Sequence, residues 1–269
     1  MQNAQTAQTA QSKSSILRVP RGLRLPSWMI IRREDGVALL VAMMSLLLLT
    51  ALGVVLVLTS SAETVIADHF RRGQEALYAA DAVVERAIED LLMAPDWNAL
   101  LDGSAHSTFV DGAPSGPRTL PDGSTIDLGQ VVNMANCRKA AACSAVDMDA
   151  VTAERPWGPN NPHWTPYAYG RLSDMLPSSD TIDSSYYVLL LVGDDPSETD
   201  SDPTKDGDGL ANPGSRVIAM RAEAFGPRQA HKVIELTAAR SGPTLGGEND
   251  YNNDIEEVAV RILSWREVR

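Results

Sequence analysis

The run of apolar and polar positions divides the chain into three zones. Residues 36–62 are 27 consecutive positions without a charge, and 37–58 within them are apolar almost throughout. As an α-helix, residues 37–58 span about 33 Å, enough to cross the hydrocarbon core of a bilayer. A helix in a soluble core would keep one polar face, and this one has none, so the pattern predicts a transmembrane helix over 37–58. Beyond it Val65, Ile66, Phe70, Leu77, Ala80, Val84, Ile88, Leu91 and Leu92 recur at helical steps. Glu63, Asp68, Arg71, Arg72, Glu75, Glu85, Arg86 and Glu89 stand opposite. No proline interrupts the chain between Val37 and Pro95. The pattern therefore predicts one helix over 37–94, about 85 Å long, with a transmembrane half (37–58) and an amphipathic half (62–93).

After Pro95 the periodicity is lost. Residues 95–181 are rich in Gly, Pro, Asp and Asn and read as a loop-rich region. Strand signals follow within 184–268. Residues 185–192 are an apolar run suited to a central strand. In 215–225, Val217, Ala219, Arg221, Glu223 and Phe225 alternate with Ile218, Met220, Ala222 and Ala224. Gly226, Pro227, Arg228 and Gln229 are turn residues, and 231–240 is a second alternating run, so the two form a hairpin. Residues 259–265 read as a last strand. Three or four strands against the amphipathic half-helix give an α+β fold: a long N-terminal helix packed on a small antiparallel β-sheet head with long loops.

Charge adds direction to this picture. Residues 1–36 carry Lys13, Arg18, Arg21, Arg24, Arg32 and Arg33 against Glu34 and Asp35, whereas the rest has 17 basic and 33 acidic residues. Basic residues crowd the N-terminal flank of the apolar helix, which predicts a cytoplasmic N-terminus and an exported body, 95–269. An acidic body offers no footprint for a phosphate backbone, so nucleic acid is not an expected partner. An apolar run this long exceeds that of a cleaved secretory signal, for which Ser60, Ser61 and Ala62 would form the cleavage site; an ordinary membrane anchor is the plainer alternative. No G-x-S-x-G, HExxH, phosphate-binding or dinucleotide motif is present, and the four histidines are scattered, so the chain is not expected to be an enzyme.

Immediately before the apolar run stand Arg32, Arg33, Glu34, Asp35 and Gly36, followed by Val37, Ala38, Leu39 and Leu40. This arrangement resembles the type III signal of prepilins. Further on, Gln74-Glu75-Ala76-Leu77-Tyr78-Ala79-Ala80-Asp81-Ala82-Val83-Val84-Glu85-Arg86-Ala87 is similar to the segment that marks PilX-like type IV pilus assembly proteins, with Asp81 and Val83 replacing the usual Glu and Gly. The C-terminal run 260–268 resembles C-termini of the same group. The resemblance implies a leader over 1–36, cut between Gly36 and Val37 by a prepilin peptidase that methylates Val37. It also implies a single-pass inner-membrane precursor with a periplasmic head, later built by the assembly platform into an extracellular filament. Its partners would be that peptidase, membrane lipids and other major and minor pilins. Major pilins carry Glu at the fifth mature position, where this chain has Val41. A buried carboxylate needs a partner, so its absence suits a minor subunit at or near the filament tip; a minor subunit within the shaft that tolerates the loss is the alternative. The alternatives are a K-like minor pseudopilin of type II secretion and, further off, a membrane-anchored periplasmic enzyme.

Three features of the body carry candidate chemistry. Asp194, Asp195, Glu198, Asp200, Asp202, Asp206 and Asp208 place seven acidic residues in fifteen positions, an oxygen-rich composition suited to a structural Ca²⁺. The spacing fails the EF-hand template, and a solvated acidic turn is the alternative; no other cofactor is expected. Cys137 and Cys143, the only cysteines, are expected to pair in an oxidising compartment. The aromatic and proline run from Trp157 through Trp164 to Tyr169 is expected to be a loop whose rings pack on the sheet.

Overall fold

A computed structural model describes residues 35–94, 96–175, 184–198, 201–207, 216–241 and 259–268. The chain divides into two compact units, 1–60 and 61–269. Helix α1, Asp35–Met93, supplies elements to both. Most of the expected leader, 1–34, lies outside the described residues.

In the second unit, five strands form one antiparallel sheet in chain order: β3 (Thr165–Arg171), β4 (Tyr187–Asp194), β5 (Val217–Gly226), β6 (Ala230–Ser241) and β7 (Ala259–Val268). The fold is α+β, with the β5–β6 hairpin turning through Pro227–Gln229. Alternation along β5 sorts its two faces. Ile218, Met220, Ala222 and Ala224 join Ile234, Leu236 and Ala238 of β6 against Ala76, Ala79, Ala80, Val83, Val84, Ala87 and Leu91 of α1. The buried stripe of the helix is mostly alanine and valine, which lets helix and sheet approach closely.

β4 is buried at every position, because both faces of the sheet are covered there. On the face away from α1, Tyr187, Leu189, Leu191 and Ala219 pack with Leu120, Leu128 and Trp164. This second layer corrects the reading of 95–181 as irregular. That region contains a small hairpin of β1 (Pro117–Thr119) with β2 (Thr125–Asp127), α3 (Leu128–Cys137) and α4 (Ala145–Met148), and, on the α1 side of the sheet, α2 (Asn98–Leu101). It also supplies β3, so the sheet has five strands where three or four were expected.

Polar side chains hold this layer where apolar ones are scarce. Asn136 donates from Nδ2 to Trp164 O (3.0 Å) and accepts from Trp164 N (2.7 Å), which fastens α3 to the start of β3. The buried Arg155 donates to Ala135 O, Met148 O and Pro162 O. Asp127 caps α3 by accepting from Gln130 N, and Ser144 with Asp147 forms a capping box on α4. A disulfide joins Cys137 to Cys143 between these helices.

Two further contacts fix α1 on the sheet. The last turn of α1 has no basic residue of its own. Arg240 of β6 supplies the charge, donating from Nη2 to Leu91 O (3.2 Å), Leu92 O (3.1 Å) and Ala94 O (2.6 Å). Toward the other end of the packed half, Tyr186 Oη lies 3.1 Å from Arg72 O and 3.2 Å from Glu75 Oε2. Its ring crosses Gly226 so closely that a Cβ there would meet a ring carbon at 2.1 Å.

Leu190 is fully buried at the helix–sheet contact, whereas Leu263 on β7 is 57% exposed. Leu190→Ala is expected to cost about 2–5 kcal/mol of unfolding free energy, and Leu263→Ala about 0.5 kcal/mol or less. Urea denaturation of the detergent-solubilised protein checks this; equal losses would mean that α1 does not organise the core.

Candidate functional site

The largest exposed apolar surface is the N-terminal half of α1. Its large apolar side chains from Val37 to Leu58 are 53–68% exposed. The helix contains an 18-residue window of mean hydropathy 2.7, and it is long and apolar enough to cross a membrane. Gly36 and Val37, the expected processing pair, lie in its first turn, and a Cβ on Gly36 would meet no neighbour within 4 Å. Helix ends fray, so opening this turn to an extended strand for a peptidase disturbs nothing packed against it.

Ser45 and Thr50 interrupt the apolar half and Thr59 follows it, and each is satisfied within the helix. Ser45 Oγ donates to Val41 O (2.8 Å), Thr50 Oγ1 lies within 3.0 Å of Leu46 O and Leu47 O, and Thr59 Oγ1 donates to Leu56 O (3.0 Å). Such back-bonding removes the penalty a free hydroxyl meets in hydrocarbon. Gly53 has open space around it, and with Thr50, Val54, Val57 and Leu58 leaves a shallow place where another helix can come close.

In the second unit, β5, β6 and β7 floor an open groove of about 1530 Å³, walled by α3 and by Trp157 and Trp164. Its floor is a chain of charges crossing three strands. Arg221 Nε donates to Glu223 Oε1 (2.7 Å) and its Nη1 to Glu235 Oε1 (2.6 Å). His231 Nε2 lies 2.9 Å from Glu223 Oε2, and Arg266 Nε donates to Glu235 Oε2 (3.0 Å). Phe225 stacks on His231 with ring centroids 4.5 Å apart. Each carboxylate oxygen in the chain is engaged, so the floor is a closed ionic network and not a poised acid or base. The alternation along 217–225 already placed Arg221 and Glu223 on one face. Their partners follow only from the pairing of Arg221 with Glu235, and of Glu235 with Arg266, across the strands.

The acidic loop is put to local use. Asp195 accepts from Ser197 N (3.2 Å) and Oγ (2.6 Å), and Asp202 accepts from Thr204 N (3.3 Å) and Oγ1 (2.6 Å) and pairs with Lys205. Asp206 accepts from Arg216 N (2.6 Å) and Val217 N (3.2 Å), and so caps the start of β5. Burial pushes its carboxyl up to about 6, against the pull of those two N–H groups. Asp194 ends β4 and is buried, while Asp200 and Asp208 lie outside the described residues. Among the described residues no three His, Cys, Asp or Glu side chains form a group that could hold a metal ion. In the aromatic run, Trp164, Tyr167 and Tyr169 are buried, and Tyr167 and Tyr169 stand in β3 itself, which corrects the reading of that run as a loop.

Comparison with known proteins found no matching family model, no matching curated protein and no matching solved structure.

The network predicts a pH dependence. Burial pulls the Glu223 carboxyl upward, but the bond from His231 and the charge of Arg221 carry it below the ordinary glutamate value. A carboxylate with a depressed folded pKa stabilises fully above its unfolded value and loses that contribution as pH falls through the folded one. Stability should therefore drop on acidification below the ordinary glutamate range, and Glu223→Gln should flatten that limb. Urea midpoints measured from pH 3 to pH 7 check it; parallel curves for both proteins would exclude Glu223 as a source of the acid sensitivity.

Proposed function

We propose that this chain is a minor, PilX-like subunit of a type IV pilus, with a structural role in starting or capping the filament. The observation that carries the reading is one helix with two kinds of surface. Its first half, from Gly36, is uncharged and exposed on all sides; in its second half the apolar stripe from Ala76 to Leu91 is buried against an antiparallel sheet, while Val65, Ile66 and Phe70 of the expected stripe stay exposed. An exposed apolar helix is stable only in lipid or among other apolar helices, and a filament core of laterally packed helices meets that need after the membrane does. Val41, where major subunits carry a carboxylate, suits a position with no subunit ahead of it.

Processing proceeds in this reading by cleavage between Gly36 and Val37 and methylation of the new amine. Lateral packing then runs through 37–58, with Ala51 and Gly53 as points of close approach. The test is co-expression with a prepilin peptidase followed by intact-mass and N-terminal peptide analysis. A mature chain beginning at methylated Val37 is expected, and Gly36→Ile should leave the precursor uncut. A chain starting at Glu63 would mark a secreted soluble protein, and an uncut wild-type chain an ordinary anchored one; either outcome sinks the filament assignment.

A further inference from the structure

The two edges of the sheet differ. At β3, Tyr169 N donates to Phe109 O (2.9 Å), Ser107 N donates to Tyr167 O (2.9 Å), and Val110 bridges to Tyr169 in parallel. Phe109 also packs so close over Gly170 that a Cβ there would stand 3.0 Å from its ring. That edge is covered. At β7 the inner edge pairs with β6 over nine residue pairs, and among the described residues no strand pairs with the outer edge.

β7 is also the least buried strand of the sheet. Ile262, Leu263 and Trp265 are 44%, 57% and 47% exposed. It is held to β6 by its backbone ladder, by Arg266 on Glu235, by Lys232 on Glu267, and by Thr237 with Ser264. A ten-residue edge strand with three large apolar side chains in solvent is a surface that isolated proteins avoid.

The charges on β7 decide what can pair there. Ile262 stands opposite Ala238 and Trp265 opposite Leu236, on the core side; Arg261 and Arg266 stand opposite Ala239 and Glu235, on the other side. The register shift between Thr237 and Ala238 puts each pair on a common face. Suppose a second copy added its own β7 in the antiparallel register that sets Ile262 against Trp265. Arg261 of each copy would then face Arg266 of the other, at both ends of the apolar pair. Like charges directly opposite destabilise a strand pair, so the register that matches the two large apolar side chains is disfavoured between copies. A strand with carboxylates at those two places and apolar residues between them turns both clashes into ion pairs.

We propose that the outer edge of β7 is a docking site for an extended segment of a partner protein whose side chains alternate between acidic and apolar, bound by strand addition. Backbone hydrogen bonds would supply affinity, and Ile262, Trp265, Arg261 and Arg266 the selectivity.

The test uses the full chain in nanodiscs of zwitterionic lipid and two fluorescent heptapeptides, one alternating Glu with Val and one alternating Lys with Val. The Glu–Val peptide is expected to bind saturably, about ten-fold more tightly than the Lys–Val peptide. Amide hydrogen exchange should slow at residues 261–266. Arg261 is exposed, so Arg261→Glu should keep the wild-type urea midpoint while narrowing or reversing the preference between the peptides. The proposal fails if both peptides bind wild type equally, if neither binds, or if protection appears elsewhere. It fails equally if β7 cross-links to β7 of a second copy. These outcomes do not depend on cleavage after Gly36.

Discussion

The organisation of the second unit rests on the contact between a narrow helix face and a sheet. The buried stripe of α1 is built from Ala76, Ala79, Ala80, Val83, Val84 and Ala87, with Leu91 the one large side chain. β5 and β6 meet it with Ala222, Ala224 and Ala238 among Ile218, Met220, Ile234 and Leu236. Small side chains on both partners bring the surfaces close, and dispersion between dense surfaces replaces what bulky residues would supply. The contact also decides which strands are central. β4 lies under α1 on one face and under the α3 layer on the other, and so is apolar at almost every position. β7 has neither cover over most of its length and carries its apolar residues in the open.

Much of this was legible in the sequence because it rests on local periodicity. The 3.6-residue stripe marked α1 with its end near Pro95, two-residue alternation marked the β5–β6 hairpin and both of its faces, and an unbroken apolar run marked β4. The loop-rich reading of 95–181 missed β3 and α3 for a physical reason. β3 contains Pro166 and Gly170, which weaken a strand signal, and its edge position tolerates both. α3 is ten residues long and contains Gly129, Val131 and Val132, so its propensity is poor; Asp127, Asn136 and Arg155 hold it by caps and cross-links. Such contacts join residues 20 or 28 positions apart and leave no periodic trace.

The candidate site divides along the same line. An apolar surface of constant character, as in 37–58, is visible in any window, because every residue in it has the same chemistry. An ionic chain such as His231, Glu223, Arg221, Glu235 and Arg266 is visible only once the strands are paired. The acidic loop is legible in the sequence only as composition, which suits an ion. Its hydrogen bonds are not: Asp195 and Asp202 close their own turns and Asp206 caps the start of β5. Asp195 and Asp202 do this because a short carboxylate reaches the N–H two residues on, whereas Asp206 reaches Arg216 N and Val217 N, ten and eleven residues on.

The ionic chain also bears on why β7 stays in place with so little burial. A one-residue slip of β6 against β5 would move Glu235 off Arg221, and a slip of β7 against β6 would move Arg266 off Glu235. Either slip leaves a half-buried charge without its partner, and the penalty for that exceeds the modest gain from the pair itself. The network therefore acts less as a source of stability than as a constraint on register. It also spends one face of Arg266 on Glu235 and leaves the rest of that side chain, 62% exposed, turned to solvent. The outer edge of β7 thus keeps a fixed geometry without a strand partner among the described residues, and a surface must be rigid before alternating charge and apolar side chains can be read as a pattern.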